Sequence, residues 1–309
     1  MKERRPLLIS WALTNRCNQR CLYCLVWKKK TVELTSRQVY GIIEDLANLG
    51  TVRICFTGGE CFLREDFCKI LDFVQKKNIL VEISSNGALI KKKLSAIKDK
   101  KIHIICLSLD GPQKVHDYVR GKGSFRNVLE AFYVCCKNNI SVAFRTVLSR
   151  YNISHIEFLL RLSEKFKVKI VFQPATALLY TSSLRNPFTP PVGEYRRVIR
   201  QLIKEKERGN EFIANSEEAL RYLLRWPGPS KMPCISGKSF FHIEPDGEIY
   251  PCIWGKDIEK LPHRDCLKTG VRKAIQELPQ SECEGCWNGA TLDVNARCGF
   301  LRRGNLTGC

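Results

Sequence analysis

Between residues 7 and 173 the chain alternates short runs rich in β-branched residues with longer stretches whose apolar positions recur at helical spacing, and no other feature limits its fold as tightly. The candidate strands are 7–13, 52–56, 79–84, 102–109, 140–147 and 168–172. Parallel strands need a crossover segment of about a dozen residues or more, and every gap here is that long. Six such units fall short of a closed eightfold barrel. The pattern therefore predicts an α/β fold, a partial (β/α)6 TIM-like barrel, followed by a small cysteine-rich C-terminal α+β domain.

The intervening stretches carry helix signals of their own. Thr35 and Gln38 form a capping box ahead of Val39, Ile42, Ile43, Leu46 and Leu49, and Gly50 ends that helix. Asp66 opens a second with Phe67, Ile70, Leu71 and Val74. Ser124 opens a third with Val128, Leu129, Phe132 and Val134, and Ser154 a fourth with Phe158, Leu159 and Leu162. These stripes are scaffold, packing on the outside of the sheet. After Pro174 the pattern changes: prolines at 187, 190 and 191 mark a linker, 194–208 and 216–226 read as helices, and Trp226-Pro227-Gly228-Pro229 breaks the chain again. Three parts are expected: a barrel over 1–175, a helical linker over 176–230 and a cysteine-rich unit over 231–309.

In barrels of this kind the working residues sit in loops that leave the C-terminal ends of the strands. Four motifs fall there: Cys17, Cys21 and Cys24 after the first strand, Gly58-Gly59-Glu60 after the second, Ser84-Ser85-Asn86-Gly87 after the third, and Ser108-Leu109-Asp110-Gly111-Pro112 after the fourth. Four motifs on one rim make a site.

The three cysteines read C-x3-C-x2-C. Thiolates at that spacing wrap one face of a cubane 4Fe-4S cluster and leave the fourth iron open to a small chelating ligand. Other readings fit less well. Zinc wants four ligands and this loop offers three with no nearby histidine, a disulfide framework belongs to small secreted chains, and three thiols among Asn18, Gln19 and Arg20 are not a core pattern.

The loop, with the Gly-Gly-Glu turn downstream, resembles the cluster loop of the radical S-adenosylmethionine (SAM) superfamily. That resemblance implies a SAM-binding 4Fe-4S cluster on Cys17, Cys21 and Cys24 and reductive cleavage of SAM to a 5′-deoxyadenosyl radical. It also implies SAM contacts: Gly58 and Gly59 for close backbone approach, Glu60 for the ammonium, Asn86 and Ser108 for the ribose or carboxylate, and Arg120 or Arg145 for the carboxylate. Asp110 reads instead as a cap of the following turn. Cys61 stands where members of the family usually have proline, either as a tolerated substitution or as a thiol near SAM.

A second group follows as C-x12-G-x4-C, from Cys234 through Gly247 to Cys252, and later Cys283-Glu284-Gly285-Cys286. Residues 240–250 between the first two read as a hairpin about Pro245-Asp246-Gly247. This arrangement resembles the twitch domain, the shortened form of the SPASM extension of the same superfamily, and implies a second, auxiliary 4Fe-4S cluster on Cys234, Cys252, Cys283 and Cys286. Zinc is the alternative for four thiolates. Leu292 and Ala296 occupy positions where the full SPASM pattern has cysteine, which argues against a third cluster and leaves Cys266, Cys298 and Cys309 unassigned. Cys55, Cys68, Cys106, Cys135 and Cys136 read as packing residues in strands and helices.

Sixteen cysteines, several of them in tight groups, point to a reducing cytoplasm, and the longest uncharged stretch, 170–184, is too short and too polar to span a bilayer. With 51 basic and 31 acidic residues the formal net charge is +20, which admits a non-catalytic RNA-binding metal-cluster protein. The lysine-rich segments 28–30, 91–93 and 98–101 lack the interleaved aromatics such a binder uses. A basic face for an acidic electron donor such as flavodoxin or ferredoxin suits the cluster chemistry better.

The family resemblance gives as leading function the oxidation or cross-linking of a substrate, with a peptide or protein as the broadest precedent and a small-molecule dehydrogenase or cofactor-biosynthesis enzyme as the alternative. Only about six residues precede the first strand, leaving no room there for a peptide-recognition domain and keeping the alternative open. His242, Glu244, Asp246, Asp257 and Asp265 are placed as candidate bases, without a choice among them.

Overall fold

A computed structural model of the protein describes residues 4–177, 184–228, 234–253, 262–279, 287 and 292–295. Six strands run in chain order as β1 (Leu8–Ala12), β2 (Arg53–Thr57), β3 (Leu80–Ser85), β4 (Ile102–Ser108), β5 (Val142–Leu148) and β6 (Lys169–Pro174). Each pairs in parallel with its predecessor. All six lie within two residues of the expected positions.

Helices fill the crossovers: α1 (Ser36–Asn48), α2 (Phe67–Lys76), α3 (Ile90–Ile97), α4 (Gln113–Arg120), α5 (Ser124–Lys137) and α6 (Ile156–Phe166), with α7 (Val192–Glu207) and α8 (Glu217–Leu223) beyond β6. The Thr35–Gln38 capping box is formed on both sides, Thr35 N donating to Gln38 Oε1 at 2.8 Å. Two other expected caps work differently. Asp66 precedes α2 without capping it, because its carboxylate is taken by Arg64 at 2.8 Å and by Ser36 Oγ at 2.7 Å. At α5 it is Asp117, from the preceding helix, that accepts from Gly123 N at 3.0 Å and Phe125 N at 2.8 Å.

The strands alternate between two environments. Ile9 and Trp11, Ile54 and Phe56, Val81 and Ile83, Ile105 and Leu107, and Ile170 and Phe172 belong to one buried core with the helices. Each fully buried side chain of this size is worth roughly 1.5–3 kcal/mol, so this face supplies most of the driving force for folding. The intervening residues, among them Ser10, Arg53, Cys55, Glu82, Ser84 and Arg145, face the inside of the partial barrel.

The expected hairpin forms from β7 (Phe240–Ile243) and β8 (Glu248–Tyr250) and turns at Gly247, whose φ of +89° is left-handed. Its position could not be read from local pattern. β7 lies parallel to β1, Leu8 opposite Phe240 and Trp11 opposite Ile243, so the hairpin continues the barrel sheet at the edge that β1 would otherwise leave unpaired. A short β9 (Arg264–Asp265) adds to β8, and α9 (Cys266–Thr269) and α10 (Val271–Glu277) follow, α10 packing on α1. Among the described residues no helix is long and apolar enough to cross a membrane.

Candidate active site

The cysteine loop is seated by the turn after β2. Gly59 N donates to Thr14 O at 2.7 Å and Glu60 N to Arg16 O at 2.8 Å, which clamps the chain just ahead of Cys17. A Cβ on Gly58 would stand 2.3 Å from Thr14 O, and one on Gly59 2.1 Å from Arg16 O. Both glycines are thus needed for backbone to lie against backbone, an internal requirement separate from any ligand.

Glu60 is fully buried at the meeting point of three rim loops. Its carboxylate accepts from Asn86 N at 2.9 Å, Ser85 Oγ at 3.1 Å and Phe62 N at 3.3 Å. Burial pushes its pKa up to about 7 against the pull of these bonds, and no cation lies within ion-pair distance among the described residues. Asn86 in turn donates to Asn18 Oδ1 at 2.8 Å and stands 4.0 Å from Cys17 Sγ.

On the other side, Arg120 Nη1 lies 3.9 Å from Cys21 Sγ while its Nε donates to Asp110 Oδ2 at 2.6 Å. Tyr23 Oη donates to the same carboxylate oxygen at 2.8 Å and Val147 N to its partner at 3.0 Å. Asp110 therefore does not cap the following turn, as its position had suggested. It is a buried counterion: burial alone would raise its carboxyl, but the Arg120 guanidinium holds it below the usual range. Its own N–H donates to His116 Nδ1 at 3.0 Å, and burial, aided by the Arg120 charge, keeps that imidazole neutral by lowering its pKa to about 4.

Burial raises the Cys17 and Cys21 thiols and pushes Cys24 up to about 12. As free thiols they stay protonated, and a bound metal ion would convert them to thiolates. Gln19 N, 3.4 Å from Cys17 Sγ, and Arg120 at Cys21 are donors that favour the anionic sulfur. Among the described residues no three Cys, His, Asp or Glu side chains converge as they would around a single ion. Three thiolates in one loop suit three corners of a cubane cluster.

Two cavities lie inside the barrel, and the upper one adjoins the loop. The upper, about 180 Å³, is lined by Tyr23, Cys24, Gly58, Val147 and Gln173, and the lower, about 80 Å³, by Ser10, Cys55, Glu82 and Ser84. Arg145 lines both. Its Nη1 donates to Ser84 Oγ at 2.9 Å and its Nε is buried without a partner, whereas Glu82 is paired with Arg53 at 3.0 Å. Ser108 ends β4 directly opposite Arg145.

Cys61 is fully buried, its side chain joining the apolar core while its Sγ stands 3.9 Å from Glu60 Oε1. Cys55 is the converse: expected to pack, it lines the lower cavity, and Cys106, two residues before Ser108, shares that inner face near Arg145. The two-residue strand period would have found both.

In the C-terminal part, Cys234 Sγ accepts from Ser236 N at 3.4 Å and Asn295 Nδ2 at 3.5 Å. Cys252 is buried, and Gly237 N donates to Pro251 O at 3.0 Å, bringing the two cysteine segments together. Cys283, Cys286, Cys298, Cys309, Ala296 and Asp257 lie outside the described residues, while Leu292 and Cys266 are buried in the core. Of the candidate bases, Asp265 caps α9 through Leu267 N at 2.8 Å and Asp246 accepts from Glu248 N at 3.2 Å within the hairpin. His242 is buried with Nδ1 3.1 Å from Ser10 Oγ and Nε2 3.6 Å from Glu244.

A family model described as the radical SAM superfamily matches residues 11–163. Over nearly its whole length the chain is also similar to the uncharacterized protein MJ0907 of Methanocaldococcus jannaschii, 31% identical across 89% of this chain and 92% of that one. The chain belongs to the radical SAM superfamily. It is 30% identical to the Fe-coproporphyrin III synthase of Methanosarcina barkeri over 54% of this chain and 43% of that protein, and 24% identical to the mycofactocin maturase MftC of Mycolicibacterium smegmatis over 80% and 64%. It thus spans less than two thirds of either. The crystal structure of Streptococcus suis SuiB bound to S-adenosylmethionine shares the fold, with a TM-score of 0.70 at 15% identity over 87% of this chain and 65% of that one.

Proposed function

We propose that the protein reductively cleaves SAM and uses the resulting radical to oxidise or cross-link a peptide or protein, with an auxiliary 4Fe-4S cluster as the second redox centre. The observation that carries this reading is the upper cavity, where Cys24, Gly58 and Arg145 meet on one rim. When bound, the cluster and SAM supply the one-electron cleavage of a carbon–sulfur bond, giving methionine and a 5′-deoxyadenosyl radical.

The chain's own residues hold the reactants. Cys17, Cys21 and Cys24 would ligate the first cluster. Gly58 and Gly59 bring the turn close, and Glu60, a buried carboxylate without a cation among the described residues, favours an ammonium nearby. Arg120 is already paired with Asp110, so Arg145 is the better partner for the SAM carboxylate, with Asn86 and Ser108 completing the seat. By the same reading 1–175 forms the SAM-cleaving unit, 176–230 connects, and 231–309 is the auxiliary unit with Cys234, Cys252, Cys283 and Cys286 as ligands. The protein works in the reducing cytoplasm, with an acidic electron donor docking on its basic surface.

Peptide chemistry is favoured by the likeness to MftC and to SuiB, also solved with its precursor peptide SuiA. A small-molecule substrate is the second reading, favoured by the likeness to Fe-coproporphyrin III synthase.

The test is 5′-deoxyadenosine production by anaerobically reconstituted protein with a reductant, stimulated in turn by the small and macromolecular fractions of host extract. Stimulation by the macromolecular fraction is the expected outcome. Stimulation by the small fraction alone points to a metabolite or short peptide, and silence with both at full cluster loading sinks the assignment.

A further inference from the structure

The second cysteine region contains a contact that the family pattern does not specify and the proposed reaction does not use. Asn295 is fully buried in the short helical segment 292–295, and a buried carboxamide is costly unless its groups are bonded. Both ends of its amide serve one strand entry. Oδ1 accepts from Ile235 N at 3.0 Å while Nδ2 donates to Cys234 Sγ at 3.5 Å. Ser236 N donates to the same sulfur at 3.4 Å. Leu292, fully buried in the core, anchors the segment that presents the amide.

A thiol sulfur is a weak acceptor and a thiolate a strong one, so two N–H donors aimed at Cys234 match a metal-bound sulfur. We propose that Asn295 is a positioning residue for the auxiliary centre: its amide fixes Cys234 as a ligand and, with Ser236 N–H, draws charge from the thiolate and raises the reduction potential of the cluster. Hydrogen bonds to cluster sulfurs and outer-shell partners of ligands act in this direction. A higher potential suits a centre that accepts an electron from a substrate being oxidised, and not one that must reduce SAM. The inference rests on the auxiliary-cluster reading given above.

The test compares reconstituted wild-type holoprotein with Asn295→Asp and Asn295→Leu by EPR-monitored redox titration. Asn295→Asp keeps the acceptor for Ile235 N but loses the N–H donor, whereas Asn295→Leu, similar in size, loses both. The second cluster's potential should fall in both variants, further in Asn295→Asp, whose charge adds to the lost bond, while the first cluster's potential stays put. Retention of the second cluster against a chelator should weaken by about 10- to 100-fold. Failure to load only the second cluster, with the first intact, supports the same role. An unmoved second potential in both fully loaded variants overturns the proposal. A single cluster in wild-type protein, by iron and sulfide count, overturns the auxiliary-cluster reading and the inference with it.

Discussion

The two faces of the barrel sheet are made from the same strands and do opposite work. Outward residues such as Ile54, Phe56 and Ile83 are fully buried against helices, while their neighbours Cys55, Glu82 and Ser84 surround cavities inside. One residue of register separates stability from chemistry. Both faces hold a buried donor without a partner, the indole Nε1 of Trp11 outside and Arg145 Nε inside, but only Arg145 carries a charge and lines a cavity that could admit a ligand to offset the cost.

The sharpest way to separate the faces is at the rim. Replacing Cys17, Cys21 and Cys24 together by alanine should abolish the first cluster's absorbance and all 5′-deoxyadenosine formation, yet leave unfolding of the iron-free protein nearly unchanged, since all three are half-buried. Retained SAM cleavage would end the mechanism. Phe56→Ala, on the outer face and in edge contact with Phe67 at 5.6 Å, should cost about 3–5 kcal/mol by chemical denaturation. A loss below about 1 kcal/mol would deny the outer face its structural role.

Glu60 sits where the two faces meet. Its folded pKa of about 7 lies above its ordinary value of 4.5, so from about pH 4.5 to 7 the unfolded chain sheds a proton that the folded chain keeps. Stability of the iron-free protein should therefore fall as pH rises through that window, by about 3 kcal/mol in all, and level off above it. Glu60→Gln should lack that slope, and parallel pH curves for the two proteins would refute the assignment. Arg145→Gln is the mildest change: SAM affinity should drop about tenfold, measured by equilibrium binding, with stability unchanged or slightly improved because a buried unpaired charge is removed. Unaltered SAM affinity would move Arg145 to another ligand.

Much of the barrel was legible because strand alternation and helix stripes are local signals, and the six strands and the Thr35 cap fell where those signals put them. α3 and α4 escaped notice for the same reason, each being eight residues long, α3 with only Ile90 and Ile97 fully buried and α4 with Val119 as its one buried apolar residue. Partnerships across long separations left no local trace. The sequence marked Gly58, Gly59 and Asp110 as special, but whether each meets a ligand, a carbonyl or a guanidinium depends on residues such as Arg16 and Arg120 that the fold brings up. Asn295 carried no signal at all, its contact being with a sulfur sixty-one residues away.

The pairing of β7 with β1 also sets a schedule. Leu8 waits for Phe240 across 240 − 8 = 232 residues, which at about 5–20 residues per second is roughly 10–50 s of synthesis. The cysteine loop therefore leaves the ribosome well before the strand that carries it gains its second neighbour. Iron delivered in that interval would meet three thiols beside a sheet edge still waiting for its last parallel strand.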